Sequence, residues 1–333
     1  MKGAKDSSTN YLRYLFIVFA AVFVIATALL IMGLWERNQG FFPEREDVNT
    51  KPVIVYNDRE FVLRDDVTTV LVMGLDKYET TGTQADYNNN QQADFLMLLV
   101  IDEANERCSA IHINRDTMTP VHVLGVAGQK IDTQTMQIAL AHAYGNGQEV
   151  SCNNTADAVS ELLFGVPIDH YVSLTMSAVA KINDLVGGVE VTLLEDFSDI
   201  DAAMVKGETI TLKGDQALTY VRTRYGREDS SNATRMQRQR QYLTALFDKA
   251  RQAYQADDQF YADASMELAD AMVTSDSASH MQKLLNGIFS YGPIEIREIE
   301  GRSEQGKDYM EFYPSEQSLK KEVAQLLSKP KDK

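Results

Sequence analysis

Between Tyr14 and Trp35 the chain runs for 22 residues, YLFIVFAAVFVIATALLIMGLW, without a single charge. At about 1.5 Å per residue, a helix of that length spans the roughly 30 Å hydrocarbon layer of a bilayer. A cleaved signal peptide has a shorter apolar core of roughly 7–15 residues. Ala26-Thr27-Ala28 has the small-x-small form of a cleavage site, but further apolar residues follow it instead of a polar start. Lys2, Lys5 and Arg13 precede the run against Asp6 alone, whereas Glu36, Glu44, Glu46 and Asp47 outnumber Arg37 and Arg45 after it. This asymmetry predicts a cytoplasmic tail over 1–13, one transmembrane helix over 14–35, and everything later outside the cell.

Residues 36–65 read as a juxtamembrane linker with one apolar run, Val53-Ile54-Val55-Tyr56, of strand character. Beyond it the pattern is that of an α/β domain over 66–328, with a tail over 329–333. Val67–Gly74, Phe95–Ile101 and Ser109–Ile113 are short runs rich in Val, Ile and Leu, the pattern of strands covered on both faces. His170–Leu174 is a further strand. Helices are expected over Ala156–Phe164, capped by Asn154 or Thr155, over Ala178–Val186, and over Thr234–Ala250, capped by Ser231 or Asn232. Segment 255–290 is helical in pattern, 293–298 alternates like an edge strand, and 315–328 reads as a surface helix. Whether GDQALTYV (214–221) is helix or strand stays open.

The formal net charge is −16, which argues against a nucleic-acid partner, because such partners need a broad basic face. Against that background, residues 219–243 stand out: Arg222, Arg224, Arg227, Arg235, Arg238 and Arg240 are diluted only by Glu228 and Asp229. Arg235, Arg238, Gln239 and Tyr242 fall three and four apart and share one helix face. Two arginine sets, a helix start with free N–H groups and a glutamine together suit a phosphate or pyrophosphate. The plainer alternative is a solvated basic helix paired with surface carboxylates. Asp76 closes one predicted strand, Asp94 opens the next, and Arg115-Asp116 ends a third, which is where α/β sheets bind ligands. Acids among arginines suit a hard divalent ion bridging carboxylate and phosphate oxygens, although a lone aspartate at such a point is more often a turn residue. Cys108 and Cys152 are compatible with a disulfide or with two buried thiols. His112, His122, His142, His170 and His280 are scattered, with no spacing that suits zinc.

The ordered pieces Gly74-Leu75-Asp76, AD-FLMLLVID (93–102), INRDT (113–117), ALAHAYGNG (139–147), NTADAVSELLFGVPIDHYVSL (154–174), INDLVGGVEV (182–191), LKGDQALTYVRTR (212–224) and ATRMQRQRQYL (233–243) resemble the LytR-CpsA-Psr family of membrane-anchored cell-wall ligases over residues 66–250. The fold expected is α/β: a three-layer α-β-α domain with a central mixed sheet, preceded by the one transmembrane helix. The resemblance implies a phosphoglycosyl transferase on the outer face of a Gram-positive-type envelope. Such an enzyme moves a teichoic acid or capsule polymer from polyprenyl diphosphate to a peptidoglycan hydroxyl. It further implies that Asp76 and Asp94 hold Mg²⁺ (or Mn²⁺), with one of them near the attacking hydroxyl. Arg115, Arg222, Arg224, Arg235 and Gln239 would grip the diphosphate, joined by Arg238 on the same helix face. Asp116 and Thr117 would shape that corner, and Asp94, Arg115, Arg222 and Arg224 form the catalytic set. Family members also enclose the lipid tail in an apolar tunnel. The chain departs from the common pattern at Gln92, where an arginine is usual, and at Asn232-Ala-Thr-Arg, where Asp-Phe-Gly-Arg is usual. The 130–142 stretch is also longer, so Lys130 takes no role. The alternatives are a lipid-diphosphate pyrophosphatase or phosphatase, and a membrane-bound transcriptional attenuator. A cytoplasmic tail of about 13 residues is too short for a DNA-binding domain.

Overall fold

The computed structural model describes residues 52–76, 91–224 and 231–331. The transmembrane expectation over 14–35, the linker up to Lys51 and Arg227 lie outside the described residues. Among the described residues no helix is long and apolar enough to cross a membrane.

The described domain opens with a hairpin, β1 (Val53–Tyr56) and β2 (Arg59–Leu63), whose tight turn puts Asn57 and Asp58 at positive φ. Next come β3 (Thr68–Leu75), β4 (Ala93–Asp102) and β5 (Arg107–Ile113), with β4 antiparallel to both β3 and β5. A second hairpin, β6 (Met118–Leu124) and β7 (Lys130–Gln137), leads to helix α1 (Glu149–Leu162). Strand β8 (His170–Leu174) returns parallel to β3, and α2 (Met176–Leu185) follows. The small ribbon β9 (Val189–Thr192) and β10 (Thr209–Leu212) precedes α3 (Asp215–Arg222) and the 25-residue α4 (Asn232–Ala256). Then follow α5 (Phe260–Leu268), β11 (Met272–Thr274), α6 (Ala278–Ser290) and β12 (Glu295–Glu298). The chain ends with the hairpin β13 (Gly301–Gln305) and β14 (Met310–Pro314), α7 (Glu316–Glu322), and β15 (Ser328–Pro330).

The central sheet has the order β11-β8-β3-β4-β5-β12 and is mixed, with β8 parallel to β3 and β12 parallel to β5. Strand alternation sends side chains to two different cores. Leu71, Met73 and Leu75 of β3 join Leu96 and Leu98 of β4 and the α1 residues Val159 and Leu162 on one face. Val70, Ile101, Cys108 and Val172 meet Leu284, Ile288 and Phe289 of α6 on the other, with Phe247 and Tyr254 of α4 against them. A third cluster binds Val189, Val191 and Leu212 of the ribbon to Phe197, Tyr220 and Tyr242. Helices therefore cover both faces of a mixed sheet.

Several local expectations are corrected. Helix α1 starts at Glu149, and Asn154 lies inside it, donating from Nδ2 to the carbonyls of His122 (3.0 Å) and Ala141 (2.8 Å). Segment 214–221, which the sequence leaves open, is helical from Asp215, with Gly214 as N-cap. The stretch 255–290 is broken by β11, which adds an edge strand to β8. The helix after 315 is not a surface element: Leu319, Val323, Leu326 and Leu327 are buried, and β15 pairs with β2. That pairing draws Ile54 and Leu63, expected in a linker, into the main core. Cys108 and Cys152 are free and lie in cores on opposite faces of the sheet, and burial pushes both thiols up to about 12.

Candidate active site

The sheet delivers its polar residues where β3 ends and β4 begins. A register shift at Gly74–Leu75 turns the strand end, and Asp76 N–H then bonds the Gln92 carbonyl at 2.9 Å. Gly74 is required here, because a Cβ would lie 2.9 Å from Phe95 Cβ. Asp76 and Asp94 thus flank one strand junction. Beside it, β5 ends in the turn 114–117, where Asn114 Oδ1 accepts from Asp116 N at 2.9 Å and Thr117 Oγ1 donates to the Asn114 carbonyl at 2.6 Å. The turn carries Arg115 back across β4.

Four arginines from three separate elements meet this junction. Arg115 binds Asp94 Oδ1 through Nη1 and Gln92 Oε1 through Nη2, with Nε 3.5 Å from Asp116 Oδ1. Arg235, on the first turn of α4, places Nη1 3.6 Å from Asp94 Oδ2. Arg222, at the end of α3, places Nη2 3.7 Å from Asp76 Oδ1. Arg224 is near enough for its charge to act on both Asp116 and Arg235. Arg235 is only 5% exposed; burial, with Arg115 and Arg224 adding to it, lowers the pKa of its guanidinium. Burial likewise raises the Asp116 carboxyl, against the pull of Arg115, Arg235 and Arg224.

A supporting chain of amides holds these groups. Asn232 Oδ1 accepts from Arg235 Nε (3.1 Å) and Nη2 (2.6 Å), while its Nδ2 donates to Asn114 Oδ1 at 2.6 Å. Ser231, not Asn232, is the N-cap, accepting from Thr234 N. Gln137 Nε2 donates to Asp116 Oδ1 (3.0 Å) and to the Met310 carbonyl (2.7 Å), and Phe312 N donates to the Asp116 carbonyl (2.9 Å), so β14 braces the corner. Sequence reasoning did not assign roles to Asn114 and Gln137. An amide carries no charge signal, and only the fold brings Gln137 to Asp116. The two departures from the common pattern both sit in this network: Gln92 Oε1 accepts from Arg115, and Asn232 Oδ1 accepts from Arg235.

Not all the clustered arginines converge. Arg238 is 1% exposed and points away from the site. Its Nε lies 2.7 Å from Glu195 Oε2, its Nη groups donate to the carbonyls of Tyr220 and Thr223, and its guanidinium sits 5.2 Å from the Phe197 ring centre. The expectation that it grips a diphosphate is corrected: it knots α4 to α3 and to the segment joining β9 to β10. Arg240 pairs with Glu298 at 2.7 Å on another side of α4. Gln239, expected beside the diphosphate, donates Nε2 to the Val221 carbonyl at 3.1 Å and lines the adjoining pocket.

That pocket is open to solvent on one side, has a cavity volume of about 150 Å³ and is walled mainly by apolar side chains. Val72, Leu174, Val179, Ile182, Leu218 and Leu243 belong to five elements, and the polar part of the wall includes Asp94, Arg222, Arg235 and Gln239. An apolar slot sharing a wall with guanidiniums suits an amphipathic ligand with an anionic head.

The LytR_cpsA_psr family matches residues 42–328. The polyisoprenyl-teichoic acid–peptidoglycan teichoic acid transferase TagU of Enterococcus faecalis is 25% identical over 320 residues, 92% of this chain and 96% of that protein. TagU of Halalkalibacterium halodurans is 30% identical over 210 residues, 63% of this chain and 60% of that protein. The solved structure of TagT bound to LIIa-WTA superposes with TM-score 0.58 at 25% identity, covering 83% of this chain and 96% of that one. Protein gbs0355 of Streptococcus agalactiae, at 19% identity, shares the fold with TM-score 0.64 over 80% of this chain and 90% of its own. The match takes in nearly the whole described domain, and the chain belongs to the LytR-CpsA-Psr family.

Proposed function

We propose that this protein transfers an anionic wall polymer of the teichoic acid kind from polyprenyl diphosphate to a hydroxyl of peptidoglycan. The observation that carries the reading is the convergence of Arg115, Arg222, Arg224 and Arg235 on the Asp76–Asp94 junction, at the wall of an apolar pocket. The polyprenyl chain would lie between Val72, Val179 and Leu218, and the diphosphate among the guanidiniums.

In this reading the acceptor oxygen attacks the phosphorus that carries the sugar. Its proton passes to a carboxylate of the Asp76–Asp94 pair, the bond from that phosphorus to the bridging oxygen breaks, and polyprenyl phosphate leaves with the electron pair. Displacement of this type needs charge neutralisation and alignment more than covalent help from the protein. Buried Arg235, fixed by Asn232, and Arg115, fixed by Gln92 and Asp94, are pre-aimed donors for the developing charge. Asp76 and Asp94 offer hard oxygen donors at adjacent strand ends and would be the residues to hold a Mg²⁺ or Mn²⁺ ion. Such an ion would supply further neutralisation of the diphosphate.

We also infer that Tyr14–Trp35 anchors the protein in the membrane with the domain outside, which keeps the pocket beside its lipid substrate. The test is to incubate the purified protein with Mg²⁺ and a lipid-diphosphate-linked sugar, with and without peptidoglycan oligomers. Transfer predicts release of lipid phosphate together with labelled peptidoglycan. Release of free sugar phosphate at the same rate without acceptor would show hydrolysis instead.

A further inference from the structure

We propose that His170, Asp276 and His280 form a binding site for a borderline transition-metal ion, Zn²⁺ foremost, separate from the carboxylates of the candidate active site. The three residues come from distant parts of the chain: the first residue of β8, the turn after β11, and the first turn of α6. Their ligand atoms all lie within 4.8 Å of one another. Asp276 stands between the rings, with Oδ2 2.8 Å from His170 Nδ1 and Oδ1 2.8 Å from His280 Nδ1. The imidazoles meet edge to face, with centres 4.8 Å apart.

Tetrahedral zinc with bonds of about 2.0–2.1 Å separates its ligand atoms by roughly 3.3 Å. A carboxylate oxygen and an imidazole nitrogen now 2.8 Å apart would separate by only about half an ångström to share the ion, and the second imidazole, within 4.8 Å, would draw in to complete the set. His280 is 42% exposed along its side chain, which leaves a path for the ion and room for water as a fourth ligand, whereas Asp276 is 8% exposed and held in place. Ser275 Oγ donates to Asp276 Oδ2 at 3.0 Å while accepting from Tyr171 N at 3.0 Å, the kind of outer support that orients a metal-binding carboxylate. Two imidazoles with one carboxylate favour zinc and its neighbours over Mg²⁺ or Ca²⁺, which take oxygen.

The register separates the two sites. His170 pairs with Val70 and Leu174 with Gly74, so the histidine lies about 13 Å down the strand from the active-site end. An ion here would clamp β11, a three-residue edge strand, and the start of α6 onto β8. No sequence spacing announced the set, because its members stand at 170, 276 and 280.

The test uses the full protein, stripped of metal, with Zn²⁺, Co²⁺ and Mg²⁺ as probes. Zn²⁺ is expected to raise the melting temperature by several degrees when well above its Kd, with no such rise from Mg²⁺. Co²⁺ is expected to give the visible absorption of a four-coordinate site. Both signals should vanish in His280→Gln and His170→Gln, with Mg²⁺-supported polymer transfer by His280→Gln unchanged. Absence of a Zn²⁺ shift in the wild type would overturn the proposal, leaving two imidazoles hydrogen-bonded to Asp276. So would a shift retained in both variants.

Discussion

Arg235 and Arg238 sit one turn apart on α4 and do opposite work. Arg235 is aimed at Asp94 by Asn232, whereas Arg238 is spent on Glu195 and two backbone carbonyls. The spacing of three and four places both on one helix face, as expected, but says nothing about what stands opposite each. Glu195 lies in an irregular stretch whose fold the sequence does not signal. Two mutants separate these roles. Arg222→Ala should leave stability unchanged, since its side chain is 57% exposed, and should slow lipid-phosphate release by roughly 10- to 100-fold, the weight of one charge-assisted contact of about 1.5–3 kcal/mol. Arg238→Ala should instead destabilise by about 3–5 kcal/mol in urea unfolding, because it strands the Glu195 carboxylate in a buried place. If Arg238→Ala folds normally but binds lipid diphosphate weakly, the division is wrong.

At the scale of elements, strands were the most legible part. Short runs rich in Val, Ile and Leu announce β3, β4 and β5, and polar residues at their ends announce the site. What stayed hidden depended on long-range pairing. The β1–β2 hairpin looks like linker until β15 pairs with it from 265 residues further on, since Ser328 partners Leu63. Helix α7 looks solvated because Lys320 and Lys321 sit beside the buried Leu319. Nor does composition separate an apolar pocket from plain core: Val179 and Leu218 would serve either. That ambiguity can be tested by filling the slot. Val179→Trp should cut transfer from a long polyprenyl donor at least tenfold while sparing a donor with a short lipid, because the diphosphate contacts are untouched. Equal rates on both donors would remove the lipid from the pocket.

Over the whole domain, one ion cluster ties the amino-terminal hairpin to the central sheet. Asp102, at the end of β4, receives Arg64 Nη1 (2.7 Å) and Nη2 (2.9 Å), with Arg107 at 3.3 Å and Asn105 Nδ2 at 2.8 Å. The Arg64 hydrogen bonds hold its carboxyl down at about 2. An acid depressed in the folded state adds stability above its ordinary pKa and loses it as pH falls through the folded value. The unfolding free energies of wild type and Asp102→Asn should therefore converge by about 2 kcal/mol between about pH 5 and about pH 2. A constant difference across that window would show that the cluster is not titrating. The central claim is that guanidiniums from α3, α4 and the β5 turn close on a diphosphate at the Asp76–Asp94 junction. The most direct measurement is release of polyprenyl phosphate by purified Arg235→Lys and Asp94→Asn proteins beside the wild type, with Mg²⁺, lipid-diphosphate-linked polymer and peptidoglycan. Both variants should fold and lose at least 10-fold in release, with Asp94→Asn the more severe; wild-type rates in either would contradict the account.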